Sequence, residues 1–273
     1  MRLVNEKYHI PMRFSGFTLI EMIIVIVVLG ILSVGSVGFI SQTAQGVIDA
    51  GERQRVASIG LVAMEKMSRE IRQALPNSIR VDGTNECIEF VPIAGGSEYT
   101  SIPILTASTT ITAIRTGYAG SLNTTYDRVA VFPTILSEVY GGAGPARGPI
   151  SPLIATLPSA TPIETITLSS NHQFPSDSPE RRMFIVKDPV SFCYGAGYLY
   201  RYKNYGFQTN IGTSRPATFA SGREVIASNL SGATFTYVPA SLSRNGVVKI
   251  NVALIDGGET QALDYEVIIR NVP

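Results

Sequence analysis

From Phe17 to Ile40 the chain is apolar except for small residues, Thr18 and one acid, Glu21. A run of that length suffices for a helix to cross the hydrocarbon of a bilayer. Beyond it the pattern changes to helical amphipathicity. Val56, Ile59, Ala63, Met67, Ile71 and Ala74 recur at steps of three and four, while Glu52, Arg53, Arg55, Glu65, Lys66, Arg69, Glu70 and Arg72 fill the other faces. No residue stops a helix before Pro76, so one helix is predicted over 17–75, roughly 90 Å long at about 1.5 Å per residue. Its first part, 17–40, is long enough to sit in a membrane, and its second, 41–75, to back a globular head. Gly30, Gly35, Gly38, Gly46 and Gly51 weaken it by about 1 kcal/mol each relative to alanine, or let helices pack closely; both readings stay open.

After Pro76 the period shortens to two. Arg128 to Phe132, Arg182 to Lys187, Val190 to Tyr194 and Tyr198 to Lys203 are short runs rich in branched and aromatic residues. The last forty residues are clearest. Val248, Ile250, Val252 and Leu254 alternate with polar or small residues, Asp256-Gly257-Gly258-Glu259 turns the chain, and Leu263, Tyr265, Val267 and Ile269 alternate again. This is a hairpin with one apolar face, which the helical stripe from Val56 to Ala74 can cover. Between 133 and 180, Gly-Gly, Gly-Pro and isolated prolines are dense enough to predict long surface loops as an insertion in the head. The fold class is α+β: a long N-terminal helix on an antiparallel β-sheet head, 76–273, with long loops.

Composition narrows the chemistry. The 22 Lys and Arg against 21 Asp and Glu give a net charge of +1, so nothing draws phosphate generally, and nucleic acid is not expected as a partner. Tyr198, Tyr200 and Tyr202, alternating with Arg201 and Lys203, can stack bases, but tyrosines at period two more commonly form one packed face of a strand. Enzymatic signatures are missing. The two histidines, His9 and His172, belong to no H-E-x-x-H, and His172 reads as a loop residue. Glu86 and Glu89 stand close enough to meet at a strand edge, without the further groups a catalytic pair needs. The Gly-rich piece 140–148 lacks the Lys-Ser/Thr of a phosphate loop. No enzyme, cofactor or metal is expected, although oxygen ligands for calcium leave no sequence signature.

Cys87 and Cys193 are the only cysteines. Both follow the spanning helix and so lie in an oxidising compartment if that helix leaves its N-terminus inside. A bridge between them is expected; two separate buried thiols are the alternative, since spacing cannot place their Cα atoms.

The N-terminal flank decides orientation. Residues 1–16 carry Arg2, Lys7 and Arg13 against Glu6, the basic balance of a cytoplasmic end. An ordinary signal peptide is cut after its apolar region, and Ser33, Gly35 and Ser36 permit that reading, but an acid at 21 suits such a short core poorly. A lone acid in a spanning helix is disfavoured by roughly 2.5–3.5 kcal/mol on insertion scales, which calls for a partner. The segment GFTLIEMIIVIVVLGILSVGSVGFI, residues 16–40, closely resembles the N-terminal signal and helix of type IV pilins and type II secretion pseudopilins. The resemblance implies that a prepilin peptidase cuts after Gly16 and methylates the amine of Phe17, removing a leader of residues 1–16. It also implies that Glu21 assists assembly. Physically, Glu21 of one subunit and the Phe17 amine of its neighbour would each be buried in apolar surroundings and each require the other.

Later segments resemble a narrower group. MEKMSREIRQALPNSIRV at 64–81 is similar to the J-type minor pseudopilins and, more closely, to the MshO minor pilins of the mannose-sensitive haemagglutinin (MSHA) pilus. CIEFVPIAGGSEY at 87–99, PVSFCYGAGYLYRYKNYGF at 189–207 and the ending VIIRNVP resemble the same group. The likeness implies a minor pilin that works in pilus assembly or initiation at the tip. Its implied partners are other pilins, the prepilin peptidase and an inner-membrane assembly platform. Before assembly the head would lie in the periplasm and the N-terminus in the cytoplasm. Two alternatives stay open: a minor pseudopilin of type II secretion, and an anchored periplasmic binding protein that never polymerises.

Overall fold

The computed structural model describes residues 16–115, 118, 122–141, 146–158, 162–241, 244–256 and 259–269. Residues 1–15 of the expected leader 1–16, with His9 among them, Gly257 and Gly258 of the expected turn, and the residues from Arg270 lie outside that set. The chain forms two compact units, Met1–Gly51 and Glu52–Pro273.

Helix α1 runs Leu19–Arg72. It begins two residues later than the sequence predicts, because Thr18 caps it: its carbonyl accepts from Glu21 N and Met22 N, and its Oγ1 also accepts from Glu21 N at 3.3 Å. In the first unit the apolar side chains of α1 are all exposed, from Leu19 (80%) to Ile48 (53%). The hydroxyls of Ser33, Ser36 and Thr43 donate to the carbonyls four residues back at 2.6–2.8 Å, so they present little unmet polarity to an apolar surrounding. The other end also falls short of Leu75. Gln73 N and Ala74 N bond three residues back, Leu75 N then donates to Val91 O at 2.7 Å, and Gln73 O accepts from Ile93 N. Leu75 also precedes a proline, where helical backbone is disfavoured.

In the second unit the strands are β1 (Arg80–Val81), β2 (Cys87–Phe90), β3 (Ile93–Ser101), β4 (Ser108–Ile114) and β5 (Arg128–Ala130), followed by the short helix α2 (Leu136–Tyr140). Then come β6 (Ile150–Thr156), β7 (Ile163–His172), β8 (Arg182–Val186), β9 (Val190–Gly195) and β10 (Tyr198–Tyr202). The chain closes with β11 (Arg223–Ser228), β12 (Leu230–Val238), β13 (Gly246–Asp256) and β14 (Glu259–Ile269). They make a five-stranded sheet in the order β1-β2-β9-β10-β11, a three-stranded sheet β12-β13-β14, and a closed barrel β3-β4-β7-β6-β5-β8.

The amphipathic stripe of α1 covers both open sheets. Val56, Ala63, Met67 and Ile71 are buried with Phe90, Phe192, Leu199, Phe235, Ile250 and Val267 in one core. The predicted terminal hairpin is present as β13 and β14, paired Val248↔Val267 and Ile250↔Tyr265, with its apolar face on that core. The closest approach falls at Gly60: a Cβ there would meet Leu263 Cδ1 at 2.2 Å. An alanine there would have to displace the end of the Leu263 side chain.

The predicted loop insertion is largely structured. Between 133 and 180 the chain forms α2, β6 and β7, and the two strands complete the barrel around Ile111, Val129, Ile154, Ile166, Phe174 and Ile185. Pro152 sits inside β6 because the β5–β6 register slips there, between Arg128↔Leu153 and Ala130↔Ile150. Ser151 repairs the ladder by accepting Val129 N on its Oγ at 2.9 Å. His172 is correspondingly no loop residue. It ends β7, fully buried, with Nε2 2.9 Å from Gly148 O and its ring edge-on to Phe174.

Candidate functional site

Gly16 and Phe17 precede the helix, and Phe17 is 77% exposed. Thr18 and Glu21 stand at the first and last positions of a T-x-x-E capping pattern. That pattern puts a carboxylate in the first turn, where the helix dipole favours negative charge. Glu21 therefore has two physical partners in prospect, its own helix end and a cation from outside. No side chain of the chain forms an ion pair with it among the described residues. Around it Leu19, Ile20, Met22 and Ile23 are all exposed, so the site is an apolar cylinder with one acid near its tip. α1 is the one helix among the described residues long and apolar enough to cross a membrane.

Cys87 and Cys193 form a disulfide. They are directly opposite in the antiparallel pair β2–β9, with Cα atoms 4.1 Å apart, so the sheet register delivers the bridging distance that spacing alone leaves open. Reduction in the folded protein, or Cys193→Ser, is expected to lower stability by about 2–4 kcal/mol, because the bridge closes a long loop. Chemical denaturation with and without reductant measures this, and coincident curves refute it.

The tyrosine row of β10 lies on the disulfide side of its sheet. Tyr202 is buried with Cys87 and Cys193, whereas Leu199 on the other face enters the helix core. Tyr198, Tyr200 and Tyr202 follow one another at ring distances of 5.7 and 5.9 Å. Arg223 stands over Tyr200 at 5.1 Å and Arg215 over Tyr202 at 5.4 Å. Packing accounts for Tyr202; Tyr198 remains exposed.

Glu86 and Glu89 are not a pair. Glu86 is exposed ahead of β2, and Glu89 is fully buried in a network that sequence reading missed. The Glu89 carboxylate meets the Arg80 guanidinium from the facing residue of β1 and accepts from Tyr205 Oη at 2.8 Å. Arg80 also donates to Gln208 O and Thr209 O and lies 3.5 Å over the Tyr140 ring. Burial pushes the Glu89 carboxyl above the usual carboxylate range, with Arg80 pulling the other way. A second ion group ties α1 to the sheet: Arg201 Nε donates to both Glu70 oxygens at 3.0 and 2.8 Å, and Glu224 joins Arg201 and Lys203. Among the described residues no three or more His, Cys, Asp or Glu are grouped to hold a metal ion.

Residues 11–37 match the family model described as the prokaryotic N-terminal methylation motif. The match spans Gly16, Phe17 and Glu21 and supports a type IV pilin-like protein. No curated protein and no solved structure matches the chain.

Proposed function

We propose that this chain is a minor pilin of an MSHA-like type IV pilus, acting in pilus assembly or initiation. The observation that carries the reading is the methylation motif ending in an exposed apolar helix with one acid in its first turn. Such a surface needs either lipid or other helices around it, and a filament supplies the second when the first is left behind. Residues 1–16 are then the leader, 17–40 the membrane span and later filament core, and 41–75 the extension into the head. Prepilin peptidase, other pilins and the assembly platform are the partners. The subunit waits in the inner membrane with its N-terminus in the cytoplasm and its head in the periplasm. The segment 64–81 also resembles J-type pseudopilins, so a minor pseudopilin of type II secretion is the second reading.

The mature protein is expected to begin at Phe17 with a methylated amine. Mass spectrometry of the amino-terminal peptide from membranes tests this. An intact Met1 or a start near Ser36 overturns the pilin reading, leaving an anchored binding protein or a secreted one.

A further inference from the structure

A cleft of about 970 Å³ opens in the second unit where the start of β3, the 123–127 turn and the β8–β9 connection meet. It is built around a buried acid. Asp127 is fully inaccessible, its Oδ2 accepts from Tyr118 Oη at 2.6 Å and Asn123 N at 2.7 Å, and its Oδ1 has no hydrogen-bond partner among the described residues. Burial and the Asp127 carboxylate push the Tyr118 hydroxyl up, which keeps it a donor and commits Oδ2. The backbone is shaped to hold Tyr118 there. β3 carries a bulge between Ile93 and Gly95, and a Cβ on Gly95 would stand 3.1 Å from Tyr118 Cα. A buried carboxylate oxygen without a donor is costly, and a cation answers it better than a neutral group.

The other charges of the cleft are mostly spoken for. Arg201 and Lys203 are engaged by Glu70 and Glu224, and Asp188 is countered by Arg128. Lys187 is exposed and forms no ion pair among the described residues. One buried anion and one open cation thus remain on a cleft whose walls include the half-buried rings of Tyr126 and Phe184.

We propose that this cleft binds a small zwitterion of the α-amino-acid class. Binding opens the cleft wall at Asp127 enough for the ammonium to meet Oδ1, the carboxylate lies on Lys187, and an apolar side chain lies against Tyr126 and Phe184. The site is independent of whether the chain polymerises.

The test is equilibrium dialysis of the detergent-solubilised full chain against each of the twenty standard amino acids at about 1 mM. At least one with an apolar side chain is retained, and its methyl ester and N-acetyl derivative bind about tenfold more weakly or worse. Lys187→Gln, on an exposed side chain, weakens the free amino acid by about tenfold and leaves the ester unchanged. Asp127→Asn abolishes binding where it folds; Lys187→Gln decides the matter where it does not. The proposal is overturned if no amino acid is retained, if retention ignores Lys187→Gln, or if hexoses or inorganic phosphate are retained instead.

Discussion

Glu21→Ala is expected to leave membrane insertion and leader cleavage intact while removing the subunit from filaments. Insertion becomes easier, since alanine lifts the membrane penalty on the acid. Assembly fails because the neighbour's Phe17 amine is then buried without a counter-charge, a loss on the order of 3 kcal/mol, or over a hundredfold in incorporation. The capping geometry adds a control. Glu21→Gln keeps the T-x-x-E/Q pattern with Thr18 and removes only the charge, so it separates helix capping from charge pairing. If Glu21→Gln assembles as wild type does, the carboxylate serves its own helix end and the pairing mechanism is wrong. The comparison is the amount of each variant in sheared pili against the membrane fraction, in cells lacking the native protein.

Arg80→Met is expected to destabilise the head by about 3–5 kcal/mol, because it strands Glu89 in a fully buried position. The pH dependence identifies the cause. The folded Glu89 carboxyl already lies above its ordinary value of 4.5 through burial, and losing Arg80, which pulls it down, raises it further. Between the ordinary and the raised value the folded state holds a proton that the unfolded state has released. Stability from this group is therefore present below about 4.5 and is lost as pH rises through the raised value. Acidification should narrow the gap between Arg80→Met and wild type, and Glu89→Gln in the Arg80→Met background should narrow it at neutral pH. Urea unfolding at several pH values measures both; a gap that stays constant with pH removes the stranded-charge explanation.

The two kinds of site differ in how far the residues alone reveal them. Gly16, Phe17 and Glu21 are legible because their meaning is local: an acid in an apolar tract, at a fixed distance from a glycine. The hairpin at 248–269 is legible for the same reason, strict alternation over two adjacent runs. The barrel is not, because β3 pairs with β8 and β4 with β7 across long stretches of chain. Ile163-Glu164-Thr165-Ile166-Thr167-Leu168 does alternate, and Pro158, Pro162 and Pro175 around it mask a strand that the prolines merely bound. The Arg80–Glu89–Tyr205 network joins the local β1–β2 pair to a residue 116 positions beyond Glu89 and leaves one hint, a glutamate in the otherwise apolar strand Cys87–Phe90, whose four residues are all buried. The disulfide needed the β2–β9 register before spacing could become distance.

That register has a mechanical consequence. Phe90 pairs with Val190, so the barrel strands leave and re-enter the open sheet side by side, inside the loop that Cys87 and Cys193 close. A pull transmitted along the polypeptide from the N-terminal helix toward β14 crosses the sulfur bridge and bypasses the 106-position span that it encloses. At about 3.3–3.6 Å per residue, roughly 350 Å of contour is withheld from any stretch of the chain. With the bridge intact, tension along the backbone does not reach the barrel, and a chain pulled at its ends can lengthen only through α1, the short segment before β2 and the strands from β10 onward.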